Sequence, residues 1–350
     1  MHNLDLKLLK KISETPGAPG FEKNIRNLIL HEVREWVDEC SIDNMGNVIA
    51  KVKGKDPKKV MLAAHMDEIG FIVNYIDDQG FIRFVPLGGF DPKTLTSQRV
   101  TVHGKKNLIG VMGTKPIHMM SEEEKRKMVK TEDFFIDMGM KKEEVEQYIQ
   151  VGDPITRQRE LIEIGDCING KSLDNRISVY ILLETLKRMQ DQSPPYDIFA
   201  VFTVQEEVGI RGAQVATQQI EPDFGLAIDT TIAYDVPGAQ PHEQVTKLGE
   251  GVAVKILDST AIADYRMVEY IKEVANRHQI KWQPEILAKG GTDTAMIQRM
   301  TKSGSIAGAV SIPTRHIHQV IESVHKDDIQ HSVDWLNHCL MELDQKNWEH

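Results

Sequence analysis

Apolar positions along this chain follow two rhythms. Phe21, Ile25, Leu28, Ile29, Val33 and Trp36 recur at roughly helical spacing and predict a helix over residues 21–38, preceded by another over 5–14 and separated from it by the turn PGAPG. After Gly46 come short β-like segments, NVIAKVKG and KKVMLAA. From about Gly70 to Asp166 the runs FIVNYI, FIRFVPL, RVTVHG and LIGVMG alternate or are β-branched, which predicts a small β-barrel or sandwich. Within that stretch, residues 121–149 are charge-rich and helical in propensity, the composition of a solvated helical excursion.

From Lys171 onward, strands and helices alternate. The pattern predicts a helix at 175–190, a strand at 197–204, a helix at 211–219 and a strand at 224–228. There follow the strand GVAVKIL, a helix at 265–277, a helix after GGTD, the strand SIAGAVSI and a terminal helix at 326–345. Such alternation implies an α/β sheet with helices on its faces. The simplest partition is an α/β domain of residues 1–66 and 168–350 interrupted by a β-rich insertion at 67–167, with no internal repeat.

Composition narrows the class. The 350 residues are 41% hydrophobic, enough for a sizeable core, and no apolar run approaches the ~20 residues of a membrane span. A net charge of −10 disfavours nucleic-acid binding, which needs basic surface. Cys40, Cys167 and Cys339 form no metal-like pair and read as reduced thiols; the N-terminal segment lacks a secretory pattern, so a cytoplasmic location is expected.

Candidate chemistry lies where apolar strands stop. In open α/β sheets ligands bind beyond the carboxyl ends of the strands. KKVMLAA runs into His65 and Asp67, the strand at 197–204 into Glu206 and Glu207, DFGLAI into Asp229, and IAGAVSIP into His316 and His318. Asp174 lies in NGKSLDNR, the loop that opens a helix. Any one of these could be a hydrogen-bonded histidine, a turn acid or a helix cap. Gathered on one rim, carboxylates about 4 Å apart would repel by roughly 4 kcal/mol per pair at an effective dielectric of 20, so the set calls for a cation. Histidine with carboxylate suits zinc, cobalt or manganese, and carboxylate-rich sites can hold two ions. Adjacent acids at the end of a strand point in different directions, so one glutamate can ligate while its neighbour acts as general base.

HMDEIGF (65–71), SLDNR (172–176), QEEVGIRGA (205–213), AIDTT (227–231), GGTD (290–293) and IPTRHIH (312–318) together resemble the M42 family of dinuclear metallo-aminopeptidases, over almost the whole chain. The resemblance implies a zinc-peptidase-like α/β catalytic domain carrying an inserted dimerisation domain, and two divalent ions, zinc or cobalt. It implies that Asp174 bridges the ions, with Glu207 and His318 completing one site and His65 and Asp229 the other. Glu206 would be the general base acting on a metal-bridging water, and Asp67 the acid that orients the His65 imidazole. A cis peptide between Asp174 and Asn175 is also implied, as is assembly into dimers or tetrahedral dodecamers. His316 stands where the family more often has tyrosine, Gln319–Val320 replaces a common Ser-Pro, and GGTDTA departs from GGTDAG.

The expected activity is removal of N-terminal residues from peptides. Hydrolysis of blocked acyl-amino acids, a glycosidase of the kind some relatives are labelled, and a metal-stabilised binding protein are the alternatives. Residues Lys255 to Arg266 and Ile286 to Thr294 are expected to line the substrate pocket.

Overall fold

The computed structural model describes residues 4–350 and divides their strands between a large mixed sheet and a small closed barrel. Four parallel strands form the centre of the large sheet, in the order Tyr196–Thr203, Asp56–His65, Phe224–Ile232 and Ile306–Arg315. Antiparallel strands flank them: Val48–Val52 and Glu39–Ile42 on one side, Glu322–His325, Cys167–Gly170 and Ile162–Ile164 on the other. Val252–Leu257 also pairs with Ile306–Arg315 and carries Trp282–Ile286 beside it.

Period-two alternation puts helices on both faces. Along Asp56–His65, Val60, Leu62 and Ala64 pack on one side with the helices Leu6–Glu14, Lys23–Val33, Leu173–Met189, Tyr265–Arg277 and Lys326–Met341. Met61 and Ala63 pack on the other, with Arg211–Ile220 and Thr294–Arg299. Leu173–Met189 is buried along most of its circumference, as expected of a helix with apolar residues nearly all round.

The six barrel strands close in the order Gly70–Ile76, Ile82–Leu87, Phe135–Asp137, Asn107–Gly113, Arg99–His103, Pro154–Arg157. Phe71, Val73, Phe84, Val100, Val102, Met112, Ile136 and Ile155 fill the interior. Ile162–Ile164, which a boundary at 167 leaves with the insertion, pairs instead with Cys167–Gly170 in the large sheet.

The excursion at 121–149 is corrected. It holds two short helices, Glu122–Arg126 and Lys142–Tyr148, and between them the strand Phe135–Asp137, which completes the barrel. Burial of Phe134 and Ile136 outweighs the helical propensity of the charged residues around them. The helix expected at 21–38 is shorter, Lys23–Val33, and the terminal helix ends at Met341. The strand expected at 224–228 runs on to Ile232, because β-branched Thr230 and Thr231 stay paired with Ile312 and Pro313. Asp229 therefore lies inside its strand and not beyond it.

Candidate active site

His65 closes the strand Asp56–His65 opposite Thr203 of its parallel neighbour. Past Thr203 the chain turns at once, with Gln205 at φ 53°, so Glu206 and Glu207 sit on a turn and not on a strand end. The Asp67 carboxylate holds that turn: Oδ1 accepts the Glu206 N–H at 3.1 Å and Oδ2 the Glu207 N–H at 3.2 Å. The same side chain lies 3.5 Å from His65 Nδ1, which is nearer the Asp67 carbonyl oxygen at 3.2 Å. The Asp67 carboxylate thus holds the backbone of both glutamates, while the imidazole it was expected to orient sits closer to its carbonyl than to its side chain. Gly212, at the start of the next helix, has no room for a side chain, since a Cβ there would overlap Asn47 and the Val204 carbonyl.

Asp174 follows Ser172, which is left-handed at φ 59°, and is joined to Asn175 by a cis peptide. Its two oxygens face two histidines. Oδ1 lies 3.3 Å from His65 Nε2, and Oδ2 lies 3.2 Å from His318 Nε2. Asp229 Oδ1 is 3.7 Å from His65 Nε2, and Glu207 Oε2 is 3.2 Å from His318 Nε2. The outcome is two donor triads, His65–Asp174–Asp229 and Asp174–Glu207–His318, each with its ligand atoms within 4.8 Å of one another and both including Asp174. Glu206 is in neither triad, though its Oε2 comes to 3.9 Å from His65 Nε2. The seven residues to which the family resemblance gave roles are therefore brought together. His316 lines the adjoining cavity but joins neither triad.

Burial pushes the Glu206, Glu207 and Asp229 carboxyls above their usual range, and neighbouring acids push the same way. Burial alone would lower the His318 imidazole, but Glu207 and Asp174 outweigh it and hold it up at about 11. His65 is raised well above its usual value by hydrogen bonds to Asp174 and Asp67 against the same burial penalty. These acids thus want positive charge in their midst. Glu207 Oε1 is moreover buried without a hydrogen-bond partner. Two imidazoles, three carboxylates and an orphaned carboxylate oxygen fit a divalent metal of the zinc or cobalt kind.

Four supporting residues were not assigned from the sequence. Glu322, fully buried, accepts the Asp174 N–H at 2.9 Å and the His318 N–H at 3.2 Å, so one carboxylate grips the backbone of two ligands. Only a lone acid in VIESV marks it. Asp293 of GGTD accepts the Thr203 hydroxyl at 2.6 Å, and burial raises it to about 6. Glu68 is buried with Lys171, at 2.6 Å, and also accepts from Ser172 and from the Gly17 N–H. That cluster anchors the loop entering Asp174.

Comparison with known proteins settles the lineage. The family model for M42 glutamyl aminopeptidase matches residues 46–335. This chain belongs to the M42 peptidase family. It is 32% identical over 349 residues to the lysyl aminopeptidase of Pyrococcus furiosus, covering 97% of this chain and 98% of that one. The crystal structure of a TET aminopeptidase from Thaumarchaeota archaeon SCGC AB-539-E09 superimposes with a TM-score of 0.94 at 35% identity, covering 97% and 96% of the two chains. The TET1 peptidase of Pyrococcus horikoshii, described as assembling into a tetrahedron or a large octahedral shell, gives 0.87 at 29% identity over 96% and 99%. The chain is accordingly a peptidase of a metal-dependent aminopeptidase family, with the large mixed sheet and small barrel shared by its structural neighbours.

In this M42 peptidase a cavity of about 800 Å³ opens beside the triads. Its wall includes Glu206, Ile210, Thr231, Ile232, Lys255, Asp258, Leu287 and Thr292, so both segments expected to line a substrate pocket contribute. Among the described residues, no helix is long and apolar enough to cross a membrane.

Proposed function

We propose that this M42 peptidase is a dinuclear aminopeptidase in which Asp174 holds both ions, Glu207 and His318 complete one site, His65 and Asp229 the other, and Glu206 is the general base. The observation that carries the reading is Asp174, whose two oxygens face His65 and His318 separately while Glu206 stays outside both triads. Bound there, two zinc or cobalt ions would supply Lewis acidity to the scissile carbonyl, a partner for the substrate's free α-amine and a water of lowered pKa.

The rest is done by the chain. Asp67 fixes the Glu206 backbone, so the carboxylate faces the cavity from a held turn. Raised by burial, Glu206 is basic enough to take a proton from the attacking water and acidic enough to return it to the leaving amine. Peptides reach it through the cavity.

The barrel serves as a subunit contact in this reading, supported by the exposed apolar residues Tyr75, Val85, Ile109 and Val111 on its outer face. A dimer that builds a larger shell, as described for the Pyrococcus horikoshii peptidase, is the assembly proposed. The free cysteines Cys40, Cys167 and Cys339 are in keeping with action in the cytoplasm.

The test is initial rates on free and N-acetylated aminoacyl anilides, with protein stripped of metal and reloaded with zinc or cobalt. Cleavage is expected for free amines alone. Glu206→Gln should keep its metal and lose on the order of 10²–10⁴ in kcat, the usual contribution of a general base. Full turnover in that variant, or cleavage of only the blocked substrates, would overturn the assignment.

A further inference from the structure

The cavity wall carries a buried ion pair that the metal centre does not use. Lys255, from the strand Val252–Leu257, donates through Nζ to Oε1 of Glu285, its register partner on Trp282–Ile286. The Thr231 hydroxyl, two residues from Asp229, donates to the same oxygen at 2.7 Å. The Lys255 and Glu285 side chains are only 3% and 0% exposed, and Lys255 lines the cavity.

We infer that this pair sets the specificity of the cavity, neutralising Lys255 so that the peptidase takes substrates whose first side chain is uncharged and apolar, of leucine or methionine size. The inference rests on the aminopeptidase reading and deepens it. An acidic side chain entering here would lose part of its water, while its attraction to Lys255 is opposed by Glu285 just behind and by Asp258 in the same wall. Asp258 already accepts from the Thr260 and Ala261 N–H groups and the Thr260 and Thr292 hydroxyls, which fix it in place. A basic side chain would find Glu285 Oε1 already taken by Lys255 and Thr231, and Asp258 already accepting four hydrogen bonds, so it too would lose water without gaining a free partner. Lys289, the other lysine of the wall, is exposed to solvent at the rim. The aliphatic side chains open to a first residue are Ile210, Ile232, Val236, Leu287 and Ile317, with Tyr234 and His316 beside them.

The experiment uses metal-loaded full-length enzyme and the p-nitroanilides of leucine, methionine, glutamate and lysine. Wild type is expected to show kcat/KM for leucine and methionine at least about tenfold above glutamate and lysine, within the range hydrophobic pockets achieve. Glu285→Gln, which frees the Lys255 charge at nearly constant volume, should raise glutamate relative to leucine by about tenfold or more. Lys255→Met should move the same ratio the other way, which a general loosening of the wall would not do. A wild-type preference for glutamate or lysine overturns the inference, as does an unchanged ratio in Glu285→Gln. The wild-type panel decides even where that variant fails to fold. Silence on every anilide and on longer free-amine peptides would instead remove the aminopeptidase reading, and this inference with it.

Discussion

Replacing Glu322 by glutamine tests whether the ligand geometry is imposed by the buried carboxylate beneath it. In the wild type its two oxygens accept the Asp174 N–H at 2.9 Å and the His318 N–H at 3.2 Å. Glutamine keeps one acceptor and presents an NH₂ to the other N–H, so one charge-assisted bond is lost and a buried donor is left facing a donor. Such a bond contributes about 1.5–3 kcal/mol, and an unsatisfied buried donor costs a similar amount, so at least about 3 kcal/mol is at stake. Spent on positioning Asp174 and His318, that energy corresponds to roughly 100-fold in metal affinity, the upper end of what groups supporting a metal ligand usually contribute. The assay is competition of the metal-free variant against a chromophoric chelator for zinc. It should be run at pH 8, because burial raises the Glu322 carboxyl to about 7 against the pull of Arg157, and the wild type must be ionised. The melting temperature of the metal-free protein, measured in parallel, separates loss of fold from loss of ligand geometry. Zinc affinity within about threefold of wild type at an unchanged melting temperature would refute the reasoning.

Asp174→Ala removes the carboxylate common to both triads, and metal analysis should find both ions weakened together; loss of only one would argue against a shared ligand. Glu22 is buried and raised to about 7 from 4.5, by burial first and by Asp67 next, so between those values the folded state holds more protons than the unfolded one. Stability of the metal-free protein should therefore fall by up to roughly 3 kcal/mol as pH rises from 4.5 to 7, and Glu22→Gln should flatten that slope in denaturant titrations; an identical slope in the variant would count against it. Trp335 is fully buried and donates its indole N–H to the Ile271 carbonyl at 2.8 Å, so Trp335→Ala should cost about 3–5 kcal/mol in the same titrations.

Much of this was legible in the sequence because the information was local. His65, Asp229 and the Glu206–Glu207 pair each follow or end an apolar run, and the parallel register of the central strands brings such positions to one edge. Asp174 and His318 were legible as members of ordered motifs. What stayed hidden depends on distant partners. Glu322 is an acid between Ile321 and Ser323, and only the fold places it under two loops that lie 148 and 4 residues away in sequence. Residues 134–137 misled in the opposite way: their neighbours carry helix-forming charges, while barrel closure by Phe135–Asp137 is decided by strands tens of residues away. The Lys255–Glu285 pair was visible as two charges and nothing more, since their cancellation appears only when the two strands lie side by side.

The barrel is physically continuous with the metal centre. Arg157, at the end of its last strand, is almost fully buried and donates to the Gln319 carbonyl, one residue past His318. The turn after Ile82–Leu87 approaches from the other direction: a Cβ on Gly88, at φ 99°, would overlap Ile69 and lie 3.5 Å from the Cβ of Glu207, and a Cβ on Gly89 would lie 3.2 Å from His318 Nδ1. Barrel residues therefore approach the triad Asp174–Glu207–His318, whereas His65–Asp174–Asp229 draws its ligands from two sheet strands and the Asp174 loop. A disturbance of the barrel should accordingly reach the His318 triad before the His65 triad, and the two donor triads should differ in their response to anything that loosens the barrel.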